Sequence, residues 1–63
     1  MEFHIGDKFK RKGKKEYTYT IIATDKLLVE ECSDTNPLNW KRIIYTIKEL
    51  QDEIDFGEFI PIL

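Results

Sequence analysis

The residue types capable of chemistry are few in this chain, and poorly spaced for it. His4 is the single histidine; Asp7 stands three residues on, with no serine or cysteine nearby to activate. Cys32 is the single cysteine and has no base beside it in sequence. Glu30 and Glu31 are adjacent, so on a strand their carboxylates point to opposite faces. Glu49 and Asp52 share a helix face that is open to water, where no pKa tuning for acid–base work is expected. No glycine-rich loop is present to cradle a phosphate. One His and one Cys also fall short of a zinc ligand set, and a lone Cys makes no intramolecular disulfide, which suits a reducing compartment. The expectation is a protein that is not an enzyme and needs no cofactor or metal.

Charge is the stronger signal. The run from Lys8 to Lys15, KFKRKGKK, holds Lys8, Lys10, Arg11, Lys12, Lys14 and Lys15, six positive charges in a chain of net charge −2. Residues 1–15 sum to +4 and residues 16–63 to −6, an asymmetry that orients a charged partner. Read as a nucleic-acid site, the six cations neutralise phosphates, while Tyr17, Tyr19 and Trp40 offer stacking surfaces for unpaired bases. Read as architecture, they are the solvated tip of a hairpin, with lysines that keep an edge strand from pairing with its neighbours. Since a nucleic-acid-binding domain is usually basic as a whole, the architectural reading is favoured.

Eight aromatic residues in 63 exceed what so small a core needs, so some are expected at the surface, where Tyr and Trp anchor protein interfaces. Trp40, following the polar stretch SDTNPLN and preceding Lys41 and Arg42, is a candidate anchor, with Tyr45 on the same segment. The alternative, equally open from sequence, is that Trp40 covers the end of the core. Glu49, Asp52, Glu53, Asp55 and Glu58 form an acidic ridge, which is what the outer face of an amphipathic helix ordinarily carries.

The elements that position these residues are mostly strands. KFKRK (8–12) alternates around Phe9, and Gly13 supplies a turn. EYTYTIIAT (16–24) is rich in the aromatic and β-branched residues that suit a pleated surface. It sets Tyr17, Tyr19 and Ile21 opposite Thr18, Thr20 and Ile22. Asp25-Lys26 reads as a two-residue hairpin connection to LLVEEC (27–32). Residues 33–39 collect loop formers around Pro37, and WKRIIYT (40–46) is a fourth strand. Thr46 and Glu49 make a capping box, and Ile47, Leu50 and Ile54 form one apolar stripe. Gly57 stands where a left-handed helix cap is wanted. In the tail FIPIL, Pro61 permits only an edge or terminal strand.

Four strands, a helix of about three turns and a last strand predict a mainly β fold. The best match is a small five-stranded antiparallel SH3-like barrel, partly open, with one short helix before the last strand. An α+β sheet with one packed helix is the alternative. The chain is read as one small domain, residues 1–63, burying only about 60% of its unfolded surface. A core this small leaves a homodimer open. No apolar run reaches the length of a membrane span, and MEFHIGDK lacks a secretory pattern, so a cytoplasmic location is expected.

The opening IGDKFKRKGKKEYTYTIIATDKLLVEE resembles the first half of many small barrel proteins. The ending YTIKELQDEIDFGEFIPI is similar to the close of short single-domain proteins common in phage and prophage genomes. The resemblance covers most of the chain except residues 33–39, and its motifs are structural, so it carries no site residues over. It implies a phage-type origin and a place in the host cytoplasm. It also implies that the protein docks on a host protein, a defence component among them, and modulates or inhibits it. On the residues, the docking surface is expected at Trp40, Lys41, Arg42 and Tyr45 with the 33–39 loop. The other readings are a nucleic-acid-binding barrel using residues 8–15 with Tyr17 and Tyr19, and, more weakly, a nucleotide-signal sponge.

Overall fold

The computed structural model describes residues 2–62. Its order is β1 (Lys8–Arg11), β2 (Lys14–Ala23), β3 (Leu27–Ser33), β4 (Trp40–Tyr45), α1 (Ile47–Asp55) and β5 (Phe59–Ile62). The five strands form one antiparallel sheet in the spatial order β4-β3-β2-β1-β5. The fold is therefore mainly β with one short helix before the last strand, as the sequence pattern leads one to expect. The sheet curls but does not close: β4 and β5 remain its two edges. The gap is bridged by side chains, with the rings of Tyr45 on β4 and Phe59 on β5 5.9 Å apart and edge-on.

Alternation along the strands sends Phe9, Tyr19, Ile21, Leu27, Val29 and Phe59 to the concave face. There, with Leu50 of α1, they form the buried core. Phe59 is the hub of its aromatic packing, 5.0 Å from Tyr19 and 6.0 Å from Phe9 in tilted geometries, the arrangement the ring quadrupole favours. The apolar stripe of α1 buries unequally. Leu50 is fully covered and Ile54 packs against the core, but Ile47 is 66% exposed.

The helix ends are set by local chemistry. Thr46 Oγ1 accepts from Glu49 N–H at 3.0 Å, and Glu49 Oε1 accepts from Thr46 N–H at 2.9 Å, the reciprocal box read from the sequence. At the other end Gly57 takes φ +78°. Its N–H donates to Ile54 O at 3.0 Å, and Glu58 N–H donates to Glu53 O at 2.8 Å. This is the Schellman pairing that turns the chain into β5.

One connection differs from the sequence reading. The β2–β3 connection is three residues, Thr24–Lys26, because a bulge between Ile21 and Ala23 shifts the register so that Ala23 pairs with Leu28. The tail pairs with β1 as an edge strand, Pro61 opposite Phe9, the position expected of Pro61; Leu63 lies outside the described residues. No helix among the described residues is long and apolar enough to cross a membrane.

Candidate partner-docking surface

The connection between β3 and β4 is tied at almost every residue. Ser33 N–H donates to Asn39 O at 2.9 Å, and Asp34 N–H to Glu16 O at 2.8 Å. Ser33 Oγ accepts from the N–H groups of Thr35 and Asn36 at 3.3 and 3.1 Å. Asn36 Oδ1 accepts from Leu38 N–H at 3.2 Å, and Asn39 Nδ2 donates to the Tyr17 hydroxyl at 3.0 Å. Asp34 is the keystone: it accepts from Thr18 Oγ1 at 2.5 Å and from the Lys10 ammonium. These two donors hold the Asp34 carboxyl below its usual range.

This fixed loop presents apolar surface outward. Leu38 at its turn is 87% exposed, and Trp40, which opens β4, is 50% exposed. Trp40 is thus a surface residue and not a cover for the core. On the same face of β4 stand Arg42, its guanidinium 5.2 Å from the Trp40 ring centroid, and the exposed Ile44. Arg42 also faces Glu30 of β3 at 3.8 Å. A cation stacked on an indole keeps the ring in one orientation at modest energetic gain. Burying Leu38 and Trp40 against a partner would contribute on the order of 2 kcal/mol each.

The opposite face of β4 lines a cleft of about 270 Å³ formed by Arg11, Lys14, Tyr19, Glu31, Lys41, Ile43 and Tyr45. At its floor the Tyr19 hydroxyl donates to Glu31 Oε2 at 2.5 Å, and the Lys14 ammonium lies 3.5 Å from the same oxygen. Glu31 is 7% exposed. Burial alone pushes its carboxyl up, but the Tyr19 hydroxyl and the charges of Lys14 and Lys41 outweigh that, leaving it below the usual range. Burial first, and then the bond and charge of Glu31, push the Tyr19 phenol well above its ordinary value. Burial likewise raises Tyr45.

The basic hairpin does not act as one patch. Lys10 Nζ is spent on partners within the chain, within 3.2 Å of the Lys15 and Tyr17 carbonyls, 3.1 Å of Thr18 Oγ1, and bonded to Asp34. Arg11 pairs with Glu53 at 3.5 Å and lies over the Phe59 ring, while Lys14 pairs with Glu31. Lys8, Lys12 and Lys15 have no ion pair among the described residues. Tyr19 is a core residue and cannot stack on a base, which corrects the expectation drawn from its type. Tyr17 is half-buried, with the Lys14 ammonium 5.7 Å from its ring centroid.

The acidic ridge is largely occupied: Glu49 caps α1, Asp52 pairs with Lys48 at 2.7 Å, Asp55 accepts from Gln51, and Glu53 faces Arg11. His4 and Asp7 face each other at 3.8 Å in the exposed N-terminal turn. Cys32 Sγ lies near Ser33 O, on the face of β3 opposite Glu31.

The structure therefore brings Trp40 and Arg42 together on one face and puts Lys41 and Tyr45 on the other. Two contributors escaped the sequence reading. Leu38 is an apolar residue inside a polar loop, and that mismatch was its only signal. The Arg11–Lys14–Glu31–Lys41 cluster carried none, because it depends on strand register and on the curl of the sheet. Comparison of the chain with protein-family models, curated proteins and solved structures found no match.

Proposed function

We propose that this chain is a non-enzymatic binding protein that docks a protein partner on the surface formed by the 34–39 loop and β4. One observation carries the reading: Leu38 and Trp40 are held outward by a loop whose backbone and polar side chains are already hydrogen-bonded. Such a surface has lost its conformational freedom before binding, which lowers the ordering cost of association. Exposed Trp beside Arg is also the composition of interface hot spots. The resemblance of the sequence to short phage and prophage proteins is the ground for proposing a host protein as the partner, modulated or inhibited stoichiometrically. Nucleic acid is the less favoured ligand, because three of the six hairpin cations are paired internally and Tyr19 is buried.

The test is affinity capture from bacterial lysate, with and without nuclease, using the wild-type chain and the variants Leu38→Ser and Trp40→Ala. A protein retained after nuclease and lost with both variants, while circular dichroism shows the fold unchanged, supports the reading. Recovery of nucleic acid without protein, or capture indifferent to both variants, refutes it.

A further inference from the structure

The reading above leaves two features of β4 unused, its free edge and the charged cleft on its concave face. β4 pairs only with β3, through Leu27↔Tyr45 to Cys32↔Trp40. Its outer row of backbone N–H and C=O groups therefore meets no other strand among the described residues. Six residues span about 20 Å, enough to template another strand. The sheet's other edge, β5, is shorter and carries Pro61, which has no N–H to give a ladder.

We infer that β4 accepts an extended, acidic segment of a protein partner as a sixth strand, with a carboxylate of that segment entering the Arg11–Lys14–Lys41 cleft. The inference rests on the docking reading and names the partner's chemistry. In strand addition, the backbone ladder supplies affinity, and pockets for alternate side chains supply specificity. Here the pocket lies on the concave side of β4, walled by Ile43 and Tyr45. Its one lining carboxylate, Glu31, is bonded to Tyr19 and faced by Lys14, and Arg11 is paired from outside the cleft with Glu53. Lys41 has no ion pair among the described residues. The cleft is thus lined by three cations and one carboxylate, and even with Glu53 set against Arg11 one positive charge is left over beside an open strand edge.

Charge also selects against the obvious competitor, a second copy. Pairing β4 with another β4 would gather two Lys41 and two Arg42 side chains in one short ribbon, and cations on an edge strand deter such self-pairing. The same cations favour an acidic strand. Trp40 and Ile44, on the convex face, would cover the apolar side chains that alternate with its carboxylates.

The experiment uses the full chain and a blocked eight-residue peptide of alternating Val and Glu. The controls are an alternating Val–Lys peptide and two forms of the Val–Glu peptide, N-methylated either at every Val or at every Glu. Binding is followed by Trp40 fluorescence and by amide shifts and hydrogen exchange. The Val–Glu peptide should bind saturably, slow exchange at amides of residues 40–45, and bind at least tenfold tighter than Val–Lys, about 1.4 kcal/mol. One N-methylated form should lose binding while the other keeps it, because only one edge of the peptide enters the ladder. Lys41→Gln should weaken the acidic peptide, and Lys41→Glu should reverse the charge preference. Equal binding of both charge types, equal tolerance of both N-methylated forms, or no effect of Lys41→Glu would overturn the inference. So would sedimentation showing a dimer that protects the β4 amides without peptide. A protein captured through Leu38 and Trp40 while the acidic peptide leaves β4 untouched would remove this inference and leave the docking reading standing.

Discussion

Replacing Tyr19 by Phe deletes one hydroxyl and nothing else from the core, yet it should cost a large share of the stability. The Glu31 carboxylate is 7% exposed and accepts from that hydroxyl at 2.5 Å; its other close partner is Lys14, at 3.5 Å. A hydrogen bond to a buried charge is worth about 1.5–3 kcal/mol. A domain of this length has roughly 3–9 kcal/mol in all. A loss of about 2 kcal/mol should lower the melting midpoint by roughly 8–16 °C. The pH dependence follows from linkage. In the wild type the folded Glu31 pKa is depressed, so its contribution is present above the unfolded carboxyl value, about 4.3. That contribution is lost as pH falls through the lower folded value. In Tyr19→Phe the same burial acts with less opposition and the folded pKa rises, so the variant loses less on acidification. The difference between the two proteins should therefore be full at pH 7 and shrink below about pH 4. Urea titrations at both pH values measure it, and adding Glu31→Gln should remove most of the pH dependence. A difference under about 0.5 kcal/mol at pH 7, or one that does not shrink in acid, would show that the pair does not hold the cleft floor.

Leu50→Ala should cost about 2–5 kcal/mol by opening a cavity under α1, whereas Ile47→Ala, at the exposed start of the same stripe, should stay within about 0.5 kcal/mol; urea unfolding of the two variants separates the two faces. Asp34→Ala should leave global stability nearly unchanged but speed amide exchange in residues 34–39 and weaken partner capture, since the loop loses its ties to Lys10 and Thr18. Unchanged exchange in that loop would mean that the backbone bonds suffice to hold it.

The parts of the fold legible in the sequence are those that depend on near neighbours. The capping box of Thr46 and Glu49, the Gly57 cap, the alternation of Tyr17, Tyr19 and Ile21, and the edge position of Pro61 all follow from interactions within a few residues. The site was half legible. Trp40 stood out by its type and its place after a loop, and the structure leaves it at the surface. Tyr19 is a core residue and not a stacking surface, a distinction its type hides, because a tyrosine on an alternating strand reads the same whether its face lies over the core or over water. Lys10 and Lys14 read as free charge, because their partners Asp34 and Glu31 lie 24 and 17 positions away.

Element types, their order and the sparseness of catalytic groups are thus written into short windows of residues, since propensity, capping and spacing are local properties. Which cations are spent and which remain free is settled only when the strands pair and the sheet curls. The same packing ties down the loop before Trp40 and leaves β4 with an open edge beside a charged cleft. These depend on strand register and sheet curvature, which arise when segments distant in the chain pack together and which no short window of residues encodes.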